Sequence, residues 1–121
     1  MNLTEDLTER TLISSYTAES ICIGETTYHS SILILPSGEV LTWPVQQLED
    51  IQEEHCQTII QHQPEMIIIG TGQKHQLPNL DLIRHFANHK MGIEVMSTPA
   101  ACRTYNVLAL ENRHVAAGLI L

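Results

Sequence analysis

With 121 residues, fourteen Asp and Glu against six scattered Lys and Arg, and a formal net charge of -8, the chain is sized for one domain. Its charge excludes a nucleic-acid-binding face, which needs clustered basic side chains. A hydrophobic fraction of 43% supplies one core, and with aromatics at 4% that core is aliphatic. Cys22, Cys56 and Cys102 are widely spaced and form no Cys-x-x-Cys pair, which argues against a disulfide framework or a zinc knuckle and for a reducing compartment.

The first residues, Met1-Asn2-Leu3-Thr4-Glu5-Asp6-Leu7, have neither the basic n-region nor the apolar h-region of a secretory signal. They are also too acidic for a mitochondrial transit peptide. No apolar run approaches the ~20 residues that span a bilayer. The expectation is a cytoplasmic protein that is not membrane-embedded. Residues 1–15 are polar and weakly periodic and predict a loosely held arm, with Leu12 and Ile13 docked, ahead of a single domain over 16–121.

Ile21-Cys22-Ile23 predicts a short strand stopped by Gly24-Glu25, with Thr26-Thr27-Tyr28 as its returning partner. Ser31-Ile32-Leu33-Ile34-Leu35 predicts another strand. Pro36-Ser37-Gly38-Glu39 turns it back into Val40-Leu41-Thr42-Trp43, and Pro44, with no N–H for a ladder, ends it. The first third therefore reads as antiparallel hairpins, with Tyr28 and Trp43 as packing residues.

At Leu48 the periodicity becomes helical. Leu48, Ile51, Cys56, Ile59 and Ile60 predict one face of a helix near 48–62, and Glu49, Asp50, Glu53 and Glu54 crowd its first half, where the dipole favours negative charge. Met66-Ile67-Ile68-Ile69, between Pro64 and Gly70, predicts a central strand buried on both faces. A helix near 79–90 follows, capped by Asn79, with Leu80, Ile83, Ala87 and Met91 as its buried stripe and Gly92 closing it. Ile93-Glu94-Val95-Met96 is the next strand, which makes a βαβ unit with parallel pairing. Ser97-Thr98-Pro99 starts a helix near 98–111, whose apolar face is Ala101, Tyr105, Leu108 and Ala109, and Asn112 is suited to a left-handed end. Residues 114–120 are the last strand, and 93–96 and 114–120 flank 66–69 in some order.

Gly70-Thr71-Gly72 stands at the carboxyl end of the central strand, where open α/β sheets bind ligands. It reads either as a binding loop or as a sharp turn out of a buried strand. His75 stands where a Gly-x-Gly-x-x-Gly fingerprint needs glycine, and no Gly-Lys-Ser/Thr follows, so neither cofactor pattern is met and no cofactor is expected. The helix start at Thr98 offers free N–H groups to an anion, with Arg103 close by in sequence. Gly70, Thr71, Gly72, Thr98 and Arg103 are thus the candidate ligand pocket. The opposing reading makes Arg103 a solvated or salt-bridged side chain. Cys102 beside Arg103 invites a lowered pKa, yet no base can be placed against it, and a buried inert thiol is the expectation. His85 and His89 share a helix face, but no His-Glu-x-x-His pattern or third ligand accompanies them, so no metal site is expected. The acids between Glu49 and Glu54 read as a solvated helix face.

Thr98 to Leu108 and Glu111 to Ala117, together with Tyr28-His29-Ser30-Ser31, Trp43-Pro44, Ile69-Gly70-Thr71-Gly72 and Glu94-Val95-Met96, form an ordered set of motifs. As a set it resembles the Mth-nine-three-eight-like domain of unknown function family over roughly residues 16–121. The turn that usually reads Glu-Gly-Arg in that family has Asn112 in place of the glycine. The resemblance implies a compact three-layer α/β domain with a mixed central sheet whose last strand runs antiparallel to the rest. It carries no established reaction; relatives include an assembly factor for respiratory complex I. Gly70, Thr71, Gly72, Arg103, Tyr105 and Asn106 match its motif positions. The functional expectation is a bacterial-type, non-enzymatic protein-binding or assembly-factor-like module. The alternative is a small-molecule or anion-binding protein, or an uncharacterised enzyme, with its pocket at Gly70-Thr71-Gly72.

Overall fold

Ile67, Ile68 and Ile69 are 0% exposed. A strand with no polar break can be satisfied only in the middle of a covered sheet, and the computed structural model, which describes residues 11–121, puts it there. In chain order the strands are β1 (Ile13–Tyr16), β2 (Ile21–Ile23), β3 (Thr26–Tyr28), β4 (Ile32–Ile34), β5 (Val40–Thr42), β6 (Met66–Gly70), β7 (Gly92–Met96) and β8 (Val115–Leu119). The helices are α1 (Glu53–Ile60), α2 (Leu80–Ala87) and α3 (Thr98–Leu110), with a 3-10 turn at Leu48–Asp50. One sheet has the order β5-β4-β8-β6-β7 and a smaller one the order β1-β2-β3.

In the larger sheet β6 pairs in parallel with β7 and with β8, while β4 pairs antiparallel with β5 and β8, so the sheet is mixed. The last strand therefore does not run against the rest: β8 is parallel to β6 and β7 and antiparallel only to the β4 side. Its direction follows from the crossovers. The chain steps from β6 out to β7 through α2, then back across β6 to β8 through α3. Two crossovers of one hand, stepping in opposite directions, put their helices on opposite faces. That is the observed arrangement. Ile67, Ile69, Ala116 and Ile120 pack with Cys56, Ile59, Leu82 and Phe86 of α1 and α2. Ile68, Ala117 and Leu119 pack with Ala101, Cys102 and Tyr105 of α3 and with Ile13 and Ile21 of the small sheet. Alternate residues of each strand serve opposite layers, as the strand period requires.

Three local expectations need correction. The helix near 48–62 is broken: after the 3-10 turn the chain is extended at Ile51 and Gln52, and α1 starts anew. Side chains compete with the backbone here, since Asp50 accepts from the Gln46 and Gln47 N–H groups (3.1 and 3.2 Å) and His55 Nδ1 accepts from the Gln52 N–H (2.8 Å). In α2, capped by Asn79 as expected, Leu82 and Phe86 are buried whereas Leu80 and Ala87 are exposed. The i, i+4 pair with the larger side chains takes the sheet. Lys90 (φ 61), not Gly92, makes the left-handed end of that segment, and Gly92 opens β7. Asn112 (φ 63) does adopt the left-handed conformation expected of it.

Of the arm expected over 1–15, residues 1–10 lie outside the described residues. Ile13–Tyr16 is a strand, paired antiparallel with β2. Polar alternation hid it, because its partner is a small sheet seated on α3. Asn106 holds it there: Oδ1 accepts from the Ile13 N–H (2.9 Å) and Nδ2 donates to the Ile13 carbonyl (2.7 Å). Trp43 packs so closely over β8 that a Cβ on Gly118 would lie 2.5 Å from its ring.

Asn106→Asp keeps the acceptor, removes the donor and sets a charge against the Ile13 carbonyl. It should cost about 1–3 kcal/mol in urea denaturation. Amide exchange should accelerate over β1 and β2 while β6 stays protected; unchanged exchange in β1 would refute this role for Asn106.

Candidate functional site

Strand β6 ends on Gly70-Thr71-Gly72, and the first residue of α3 sits directly against it. A Cβ on Gly70 would stand 2.7 Å from Thr98 Oγ1 and 2.8 Å from its Cα, so only glycine admits the helix this close. The Thr98 N–H donates to the Gly72 carbonyl (2.7 Å), and the Gly72 N–H donates to Thr98 Oγ1 (2.8 Å). The same hydroxyl donates to the Ile120 carbonyl (2.6 Å). Thr71 continues the closure: its N–H donates to the Met96 carbonyl (2.8 Å), and its hydroxyl donates to the Lys74 carbonyl (2.6 Å) while accepting from the Gln76 N–H (3.2 Å). Gly70, Thr71, Gly72 and Thr98 are thus brought together as expected, and what joins them is mutual bonding.

The start of α3 was expected to offer free donors to an anion. Thr98 donates to Gly72, Pro99 has no N–H, Ala100 reaches the Ser97 hydroxyl (3.4 Å) and Ala101 the Ser97 carbonyl (2.8 Å). Arg103 does not join this group. Its guanidinium donates to the Tyr16 hydroxyl (2.6 Å). Tyr105 donates to the Thr11 carbonyl (2.9 Å). Arg103, Tyr105 and Asn106, the polar motif residues of α3, therefore all hold the N-terminal strands.

Cys102 is on the buried face of α3 and burial pushes its thiol up to about 11, with Arg103 opposing; burial likewise pushes Cys56 up to about 11. Neither is a thiolate near neutrality. Cys22 is half-buried and bonded to the Thr27 hydroxyl (3.0 Å), and that bond, with one from Ser15, lowers its pKa. His89 Nδ1 lies 3.0 Å from the His85 carbonyl, and His85 Nε2 is 3.4 Å from Gln57 Nε2. Among the described residues no group of three or more His, Cys, Asp or Glu comes together to hold a metal.

Sequence reasoning missed a cleft of about 410 Å³ between the starts of α1 and α2. Leu48, Ile51, Cys56 and Leu82 line its floor, and Glu49, Glu53, Asp81 and Leu77 its rim. The signals were present: the break in helical phase after Ile51, and Leu77-Pro78 closing a polar loop. Gln52, Asn79 and His85 complete the lining.

The fold and its closure define a small three-layer α/β domain whose motif residues serve its own integrity. The chain belongs to the family described as protein of unknown function DUF498/DUF598, whose model matches residues 13–120. It is 37% identical over 90 residues to a 13 kDa major membrane protein of Francisella tularensis, covering 73% of each chain. It is 30% identical over 112 residues to NADH dehydrogenase (ubiquinone) 1 alpha subcomplex assembly factor 3 of Danio rerio, covering 91% of this chain and 64% of that protein. A crystal structure of a Bordetella parapertussis protein superposes with a TM-score of 0.85 at 31% identity, over 92% of this chain and 95% of that one. A solution structure of a Bordetella pertussis protein described as a Mth938-like domain does so with a TM-score of 0.74 at 25% identity, over 91% and 85%. Among the described residues no helix is long and apolar enough to cross a membrane.

Thr98→Val keeps the branched shape and removes the hydroxyl, leaving the Gly72 N–H and the buried Ile120 carbonyl without it. The loss should be about 1–3 kcal/mol in urea denaturation, with Thr98→Ser near wild type. Alkylation of the native protein at pH 8, followed by mass spectrometry, should modify Cys22 first, with Cys56 and Cys102 reacting only on unfolding. Early labelling of Cys102 would contradict its inert character.

Proposed function

We propose that the chain is a non-enzymatic, cytoplasmic protein-binding module of the assembly-factor kind. The observation that carries this reading is where the motif residues spend their bonds. Arg103, Tyr105 and Asn106 hold the N-terminal strands, and Thr98 and Gly72 hold each other. A reaction needs a base, a nucleophile or an oriented donor set free to meet substrate. A surface that remains open is the cleft of apolar and acidic residues between the starts of α1 and α2, suited to another protein chain. Support of a different kind comes from the relative named as a complex I assembly factor. Three cysteines without disulfides fit the reducing compartment proposed here.

The rival, an anion or metabolite site at Gly70-Thr71-Gly72 with Arg103, has less support because its donors are engaged within the protein. The two readings separate by experiment. Crosslinking in source cells with quantitative mass spectrometry, followed by reconstitution from purified components, should yield a stoichiometric protein partner. A thermal-shift screen of metabolites should yield none. A metabolite that stabilises by RT ln(1 + [L]/Kd), about 2.7 kcal/mol at a hundredfold excess over Kd, and loses this effect in Arg103→Ala, would replace the assembly reading with the rival.

A further inference from the structure

The segment that leads into α2 leaves two leucines in the open: Leu77 is 83% exposed and Leu80 64%. Leu77 belongs to the cleft lining, and Leu80 stands between Asn79 and Asp81, which do too. From Leu77 the lining continues inward through Ile51 to Leu48, Cys56 and Leu82 of the core. The carboxylates of the lining are Glu49, Glu53 and Asp81, and its one imidazole is His85; it holds no Lys or Arg. None of the three is in an ion pair among the described residues, where the salt bridge is Arg113 with Glu65. A helix dipole accounts for acids in first turns, the places of Glu53 and Asp81. It gives no reason for solvent-facing leucines beside them. Contiguous exposed apolar surface with a rim of one charge sign is the pattern of a protein-binding groove.

We infer that the cleft between α1 and α2 is the docking groove for a basic amphipathic helix of a partner protein. The inference rests on the protein-binding reading and gives it a location. Apolar side chains of the partner enter over Ile51 and against Leu77, and its Lys or Arg side chains meet Glu49, Glu53 and Asp81. An amphipathic helix suits the site because it presents apolar and basic side chains together, the complement of an apolar floor with carboxylates on its rim. A small molecule suits it less, since Leu80 lies outside the hollow, where such a ligand would leave it in water.

The probe is a synthetic peptide of about fourteen residues, roughly four helical turns, with Leu at i, i+3, i+4 and i+7 spacing and Lys elsewhere. A companion carries Glu in place of Lys. Each is titrated into the isotope-labelled full chain and followed by amide shifts. The Lys peptide should move resonances of residues 48–56 and 77–85, and the Glu peptide should not. The triple variant Glu49→Lys, Glu53→Lys, Asp81→Lys should weaken binding at least about tenfold. Glu19→Lys, Glu25→Lys, Glu39→Lys makes the same change in net charge outside the cleft and should stay within about twofold, because distant exposed charges are screened. All six positions are exposed. Leu77→Ser, at a fully solvated position, should weaken binding about threefold or more and gives a second reading should the first triple fail to fold. Equal weakening by both triples, equal binding of the Glu peptide, or no effect of Leu77→Ser overturns the groove. So does a Lys peptide that shifts residues on another face or none at all. None of these results touches the protein-binding reading, which stands or falls on reconstitution of a partner.

Discussion

One hydroxyl group ties three segments of this fold together. Thr98, 2% exposed, accepts from the backbone of Gly72 and donates to the backbone of Ile120, while its own N–H reaches Gly72. The loop after β6, the end of β8 and the start of α3 thereby meet at one atom. A single bond of this kind is worth about 1 kcal/mol net, but a buried group left without its partner costs about 1–3 kcal/mol, so the arrangement is worth most as a whole. Gly70 makes it attainable, because any Cβ there would hold the helix away.

With its start fixed, α3 serves both sheets. Ala101, Cys102 and Tyr105 face the larger sheet, and the smaller one rests on the same helix. Strands of three and four residues make a sheet too slight to stand alone in water. Ile13 and Ile21 supply its apolar contact, and Arg103, Tyr105 and Asn106 supply its polar attachment. Residues that look like site chemistry on paper, an arginine, a tyrosine and an amide near a helix start, are thereby the joints of the domain. On the far side of the β6–β8 pair, Glu65 does similar work, accepting from Arg113 Nε and the His114 N–H, and the Arg113 guanidinium holds its carboxyl below the usual range.

This leaves the two faces of the sheet unequal. The α3 face is covered by a long helix and a second sheet. The opposite face carries α1 and α2, both short, with a hollow at their starts. Acids are stable there because two helix N-termini converge on it, and leucines reach out beside them.

The sequence by itself determined the elements that local patterning controls. Met66 to Ile69 could only be a covered strand, Pro36-Ser37-Gly38-Glu39 could only turn, Asn79 and Ser97 capped the helices they promised to cap, and Asn112 took the left-handed end. The juxtaposition of Thr71 and Thr98 was legible too, since successive parallel strands bring their carboxyl ends to one edge. What it did not carry was the outcome of competitions between segments far apart in the chain. The place of β8, between β6 and β4, depends on which face α3 crosses. The strand at Ile13–Tyr16 depends on Asn106, 93 residues away. Leu82 and Phe86 displaced Leu80 from the core because of what the sheet presents to them. Arg103 left the loops for Tyr16, 87 residues distant. Periodicity and caps are properties of neighbours in sequence, and these four results are properties of neighbours in space, so only the tertiary structure decided them.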